Sequence, residues 1–99
     1  MSYHIEITPE AESDLRRIYR YIAEEKENPG AAFKLVDSIY AEVATLDEMP
    51  CRYPIWRNEP WKSRGVRSLD VGNYHVFYLV EEVPPTVVAL RVFYQGQDV

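Results

Sequence analysis

Cysteine is almost missing from this chain: one residue, Cys51, in a sequence of 99. A single thiol excludes an internal disulfide and suits a reducing compartment. No second cysteine or histidine lies near it at ligand spacing, so Cys51 points to packing and not to a metal. Long apolar runs are missing too. No stretch approaches the ~18 residues of a membrane-crossing helix, and the N-terminus lacks the basic-then-apolar pattern of a secretion signal. The expected location is therefore the cytoplasm. Nor is there an excess of positive charge: the formal net charge is −5, which argues against a generic nucleic-acid binder. Repeats and low-complexity segments are absent, and a chain of this length makes one domain over residues 1–99.

What is present is apolar and unevenly charged. Hydrophobic residues make up 46% of the chain and aromatics 13%, enough for one modest core. Residues 1–50 carry a net −6 and residues 51–99 a net +1. Within residues 51–67, Arg52, Arg57, Lys62, Arg64 and Arg67 stand against Glu59 alone. The molecule is thus bipolar, with acidic helices and a basic connection that offers a docking surface for an acidic partner.

Residues 3–8 alternate weakly and read as a first strand. Thr8 and Pro9 then supply a cap and a proline for the first helical position, with Glu10, Glu12 and Asp14 in the turns that the helix dipole makes favourable to acids. Those acids and Glu6 lack a second ligand set, so no metal is assigned. Leu15, Ile18, Tyr19 and Ile22 form the apolar stripe, and the helix is expected to end near Glu25 to Glu27. Asn28 and Pro29 repeat the cap-and-proline device. A second helix follows, with Ala32, Leu35, Val36, Ile39, Val43 and Leu46 on one side, stopped by Pro50. Two helices so closely linked form an antiparallel hairpin that lies on a sheet.

From Pro50 to Arg64 three prolines are interleaved with Tyr53, Trp56 and Trp61. Proline breaks regular structure there, while rings of that size bury themselves, so an ordered loop pinned by its aromatics is expected. Strands follow at roughly 66–71, 74–81 and 86–94, the first two joined at Gly72-Asn73, residue types that tolerate a positive φ. The fold class is α+β: β-α-α-β-β-β, a helical hairpin on a mostly antiparallel four-stranded sheet whose other face is partly open.

The run Gly65-Val66-Arg67-Ser68-Leu69-Asp70-Val71-Gly72-Asn73-Tyr74-His75-Val76-Phe77-Tyr78-Leu79-Val80, set between the two capped helix starts and the closing Arg91-Val92-Phe93-Tyr94-Gln95-Gly96-Gln97-Asp98, carries a resemblance. In that order these pieces resemble the ParE/RelE superfamily of toxins from type II toxin–antitoxin modules, of the plasmid-stabilisation type. The resemblance runs from about Ile5 to Asp98. It implies a cognate antitoxin that wraps the toxin with an amphipathic segment. It also implies one of two activities: poisoning of DNA gyrase, or ribosome-dependent cutting of messenger RNA. No cofactor is implied.

The residues favour the ParE side. Members that cut message need groups that activate a ribose 2′-OH, stabilise charge on phosphorus and protonate the leaving oxygen. The family sets an Arg where this chain has His75. It sets a His and paired arginines where this chain has Tyr94-Gln95-Gly96-Gln97. If the chain is a nuclease, Arg67, His75 and Tyr94 are the candidates. If it acts by binding, the contacts fall to Arg57, Trp61, Lys62, Arg64, Arg67 and Arg91.

Overall fold

The computed structural model describes residues 2–97 and 99; Asp98, the last residue of the expected tail, lies outside them. Strand β1 (His4–Ile7) leads into helix α1 (Pro9–Arg20), and helix α2 (Pro29–Ala44) follows. Both helices begin as their residue types dictate. The Ala11 N–H donates to Thr8 Oγ1 at 3.0 Å and the Ala31 N–H to Asn28 Oδ1 at 3.1 Å, each with proline in the first turn. Between them Tyr21–Glu25 widens into a π turn, so the first helix closes in a looser coil than its periodicity implied.

Strands β2 (Arg67–Val71), β3 (Tyr74–Glu82) and β4 (Pro85–Tyr94) complete a sheet of order β1-β4-β3-β2. β1 runs parallel to β4, pairing His4–Ile7 with Thr86–Ala89, and the other two pairings are antiparallel. In the β2–β3 turn only Gly72 takes a positive φ, 56°, and Asn73 does not. That is the demand of a turn with its special residue first, not of one needing two.

β4 carries a bulge. Phe77 faces Arg91 while Tyr78 faces Ala89, which leaves Leu90 as the extra residue. β1 stops at the same level, so the edge of β4 would be bare beyond it. Side chains from the helical layer fill the gap. Thr8 Oγ1 donates to the Leu90 carbonyl at 2.9 Å, and the Val92 N–H donates to Asp14 Oδ2 at 2.9 Å. Helix α1 thereby stands in for the missing strand, answering the rule that buried backbone groups find partners.

Two apolar clusters flank the sheet. On the helical side Leu15, Ile39, Val43 and Leu46 pack on Leu69, Val76, Tyr78, Val87, Ala89 and Val92. On the other side Trp56, Val66, Phe77 and Phe93 are buried, with Trp61, Leu79 and Leu90 around them. The expectation of an open second face is corrected here: the proline-rich loop folds over it. Phe77 alternates onto that face and is too large and apolar to be left in water, so the loop supplies two indoles to cover it.

Candidate functional site

The loop after Pro50 is held to the domain at both ends. Trp56 N–H donates to Val66 O at 2.8 Å and Ser68 N–H to Pro54 O at 3.1 Å, with Ile55 bridging antiparallel to Arg67. The Arg67 guanidinium reaches back to the carbonyls of Tyr53 (2.6 Å) and Cys51 (3.2 Å). Arg52 does the same for the end of the second helix, donating to the carbonyls of Glu48, Met49 and Thr45. Tyr78 adds a bond across the core, its hydroxyl donating to Pro50 O at 2.6 Å; burial pushes that phenol up to about 12.

The two indoles meet the sheet ring to ring, Trp61 edge-on to Phe77 and Trp56 tilted against it. Ring centroids of Trp56 and Phe77 lie 4.8 Å apart, Trp61 and Phe77 5.2 Å, and Phe77 and Phe93 5.0 Å. Trp56 is 8% exposed, so the loop is a fixed platform, as the prolines and rings indicated. Arginines sit over the rings of this cluster: Arg57 over Trp56 at 4.6 Å, Arg64 over Trp61 at 5.8 Å and Arg91 over Phe93 at 4.7 Å. For Arg57 and Arg64, such a cation–ring contact leaves the N–H groups able to meet an anion. Residues far apart in the chain are thus brought to one face. Among the described residues, Arg57, Lys62 and Arg64 have no carboxylate within salt-bridge distance.

Arg91 is different, because it reaches the helical layer as well. Its Nε donates to Asp14 Oδ2 at 2.8 Å and its Nη2 to Oδ1 at 3.0 Å; Arg17 adds a third cationic donor at 2.9 Å. Asp14 is fully buried. Burial pushes its carboxyl up, but the bonds from Arg91, the Val92 N–H and Arg17 outweigh that and hold it below the usual carboxylate range. Asp14 is a residue that the pattern along α1 did not single out. A helix dipole explains any acid near its start, and only the partner on β4, far along the chain, reveals the bridge.

The three nuclease candidates do not meet. His75 sits on the aromatic face, its ring 4.9 Å from that of Trp56 and its side chain 16% exposed. Its Nδ1 lies 2.6 Å from Asp70 Oδ1, where only the ring can donate to an ionised carboxylate. Tyr94 is on the opposite side, paired with Tyr74 across the sheet at 5.6 Å between rings. Arg67 shares the helical side with Tyr94 but pairs with Tyr78, in the middle of β3 and away from Tyr74 at its start, and its donors go to loop carbonyls.

Concave sites lie on both sides of the sheet. One, about 440 Å³, lies between the loop and β2, lined by Tyr53, Pro54, Ile55, Trp56, Arg57, Ser68, Asp70 and His75. The other, about 780 Å³, opens where the π turn meets the β2–β3 turn; Tyr21, Tyr74 and Tyr94 line it beside Ile18, Leu35, Arg17 and Lys26. Among the described residues no group of three or more His, Cys, Asp or Glu is placed to hold a metal, and no helix is long and apolar enough to cross a membrane.

Comparison with known proteins agrees with this architecture. Residues 5–99 match the family model described as the ParE toxin of the type II toxin–antitoxin system parDE. Among solved structures, a chain of the chromosomal ParDE TA system from P. aeruginosa superposes with a TM-score of 0.72 at 23% identity, over 96% of this chain and 98% of that one. A chain of the toxin–antitoxin complex RelBE2 from Mycobacterium tuberculosis gives 0.68 at 23% identity, over 96% and 100%. One from the archaeal RelE-RelB complex of Pyrococcus horikoshii OT3 gives 0.65 at 16%, over 99% and 100%. No curated protein matches the chain by sequence.

Proposed function

Because the chain belongs to the ParE toxin family of type II toxin–antitoxin systems, we propose that it arrests growth as a non-enzymatic binding protein whose target is DNA gyrase, acting in the cytoplasm. One observation carries the non-enzymatic part: His75 and Tyr94 occupy opposite faces of the sheet, and the Arg67 guanidinium is engaged by the carbonyls of Cys51 and Tyr53. An acid, a base and a phosphate clamp must surround one scissile bond, and these three surround none. The cations that remain presentable, Arg57, Lys62 and Arg64 on the aromatic platform beside Trp61, suit contact with a protein surface.

A cognate antitoxin completes the proposal. The groove at the π turn supports its docking: three tyrosines and several aliphatic walls suit an amphipathic segment, and Arg17 and Lys26 supply the complement to acidic side chains. The relatives named above come from toxin–antitoxin complexes. A segment that orders on binding needs a large apolar contact to offset its lost entropy.

The test sets two assays side by side. Purified toxin is expected to inhibit gyrase supercoiling or to trap cleaved DNA, and to leave ribosome-bound message intact. A second reading, ribosome-dependent cleavage, draws on the Asp70–His75 pair, since a carboxylate-oriented imidazole is a recurrent base. Specific cuts in translated message, lost in His75→Ala, would establish that reading and overturn the first.

A further inference from the structure

The outer edge of β2 is half used. The loop pairs with its first residues, through Trp56 N–H to Val66 O and Ser68 N–H to Pro54 O, and then turns away. Before that pairing the loop's Cys51 and Tyr53 carbonyls accept from the Arg67 guanidinium instead of from the β2 backbone. Backbone groups alternate along a strand, so the N–H two residues after Ser68, that of Asp70, also points outward. No backbone acceptor among the described residues meets it. Edges of this kind accept another strand unless something blocks them.

The ground beside that edge is shaped and charged. The groove of about 440 Å³ runs along Ser68 and Asp70, with Tyr53, Pro54, Ile55 and Trp56 as its apolar wall. Arg57 stands on its rim, over the Trp56 ring and, among the described residues, with no carboxylate within salt-bridge distance. Two side-chain atoms buried without hydrogen-bond partners, Trp56 Nε1 and Ser68 Oγ, belong to residues of this groove. Asp70, the one acid on the wall, is already bonded to His75.

We propose that this edge is a docking site for an extended acidic segment of the toxin's protein target, which adds to the sheet beside Leu69–Val71. Main-chain bonds to Asp70 hold the segment, one apolar side chain enters the groove, and a neighbouring carboxylate meets the N–H edge of Arg57. The inference rests on the reading of the chain as a protein-binding toxin, and it gives that toxin a second surface, away from the groove assigned to the antitoxin.

The probe is a capped heptapeptide, acetyl-Asp-Glu-Val-Leu-Val-Glu-Asp-amide, titrated into the isotope-labelled full chain by NMR. Expected is sub-millimolar binding that shifts the amides of residues 68–72 and slows exchange of the Asp70 amide. The peptide with lysine at every acid should bind ~tenfold more weakly, as charge complementarity demands. Asp70→Pro removes the donor, at an edge position where proline is tolerated, and should abolish binding, whereas Asp70→Ala should not. Should the proline variant fail to fold, a peptide N-methylated at alternate amides puts the same question from the other side. Equal binding of the lysine or methylated peptides, shifts confined to the other groove, or no binding at several millimolar would each overturn the proposal. Gyrase inhibition without peptide binding refutes this site alone; peptide binding without gyrase inhibition refutes the target and leaves the site standing.

Discussion

Replacing Asp14 by alanine should be the most damaging single change to a charged residue in this domain. The carboxylate is fully buried and accepts from Arg91 twice, from Arg17 and from the Val92 N–H, all between 2.8 and 3.0 Å. Removing it strands a guanidinium that is only 35% exposed and leaves a buried backbone donor with nothing to meet. Breaking a buried pair from one side costs ~3–5 kcal/mol, and a stranded amide is part of that sum. For a domain of this length that is a fall of roughly 15–30 °C in Tm, a large share of the ~5–15 kcal/mol that holds such folds. The pH dependence has a definite sign. Asp14 is held below the ordinary carboxylate range, so its contribution is complete above the unfolded value near ~4 and fades as pH falls through the folded one. Urea unfolding by circular dichroism at pH 7, 4 and 2 measures both. The gap between wild type and Asp14→Ala should be widest at pH 7 and narrow on acidification. A loss below ~1 kcal/mol at pH 7, or a gap unchanged at pH 2, would refute the bridge between α1 and β4 as an energetic link.

Tyr78→Phe should cost ~1–2 kcal/mol in urea melts, since it leaves the Pro50 carbonyl without its 2.6 Å donor. The wild type should also lose stability as pH rises from the unfolded tyrosine value of ~10 through the folded value of about 12, a loss that should be smaller in the phenylalanine variant, where only the raised Tyr3 and Tyr74 remain to contribute. Trp56→Ala should destabilise by ~3–5 kcal/mol because the indole is buried against Phe77. Trp61→Ala, half-buried at the rim, should cost less and weaken partner binding; amides of the loop that exchange as freely as an unfolded chain would sink the platform. In cells, His75→Ala and Tyr94→Phe should leave growth arrest intact if stably expressed, and loss of arrest in either would return the nuclease reading.

Most of the architecture was legible because it is written in local signals. Thr8-Pro9 and Asn28-Pro29 set the helix starts, Gly72 the hairpin, and the apolar stripe of α2 the face that is buried. The parallel pairing of β1 with β4 is a long-range choice that no window of sequence contains. The same limit hid the second face. That Phe77 would need a lid was implied by its size, but which rings supply it depends on where the loop lands. For the site, composition drew attention to the basic residues but could not distinguish their uses. Arg52 and Arg67 bind carbonyls, Arg91 binds Asp14, and Arg57 and Arg64 lie on rings; only geometry separates these uses of one side chain.

The pairing of β1 with β4 has a consequence in time. His4–Ile7 finds its strand partner in Thr86–Ala89, and the side chains of Thr8 and Asp14 find theirs at Leu90, Arg91 and Val92. The opening strand and first helix therefore have no sheet to lie on until β4 has been made. The β2–β3 hairpin can close early, but the first half of the chain must wait, and contacts so distant in sequence make folding slow. A growing chain on the ribosome is then not yet a toxin. Its apolar helical stripes are exposed during that interval, and an antitoxin already present could meet them before the toxin's own sheet does.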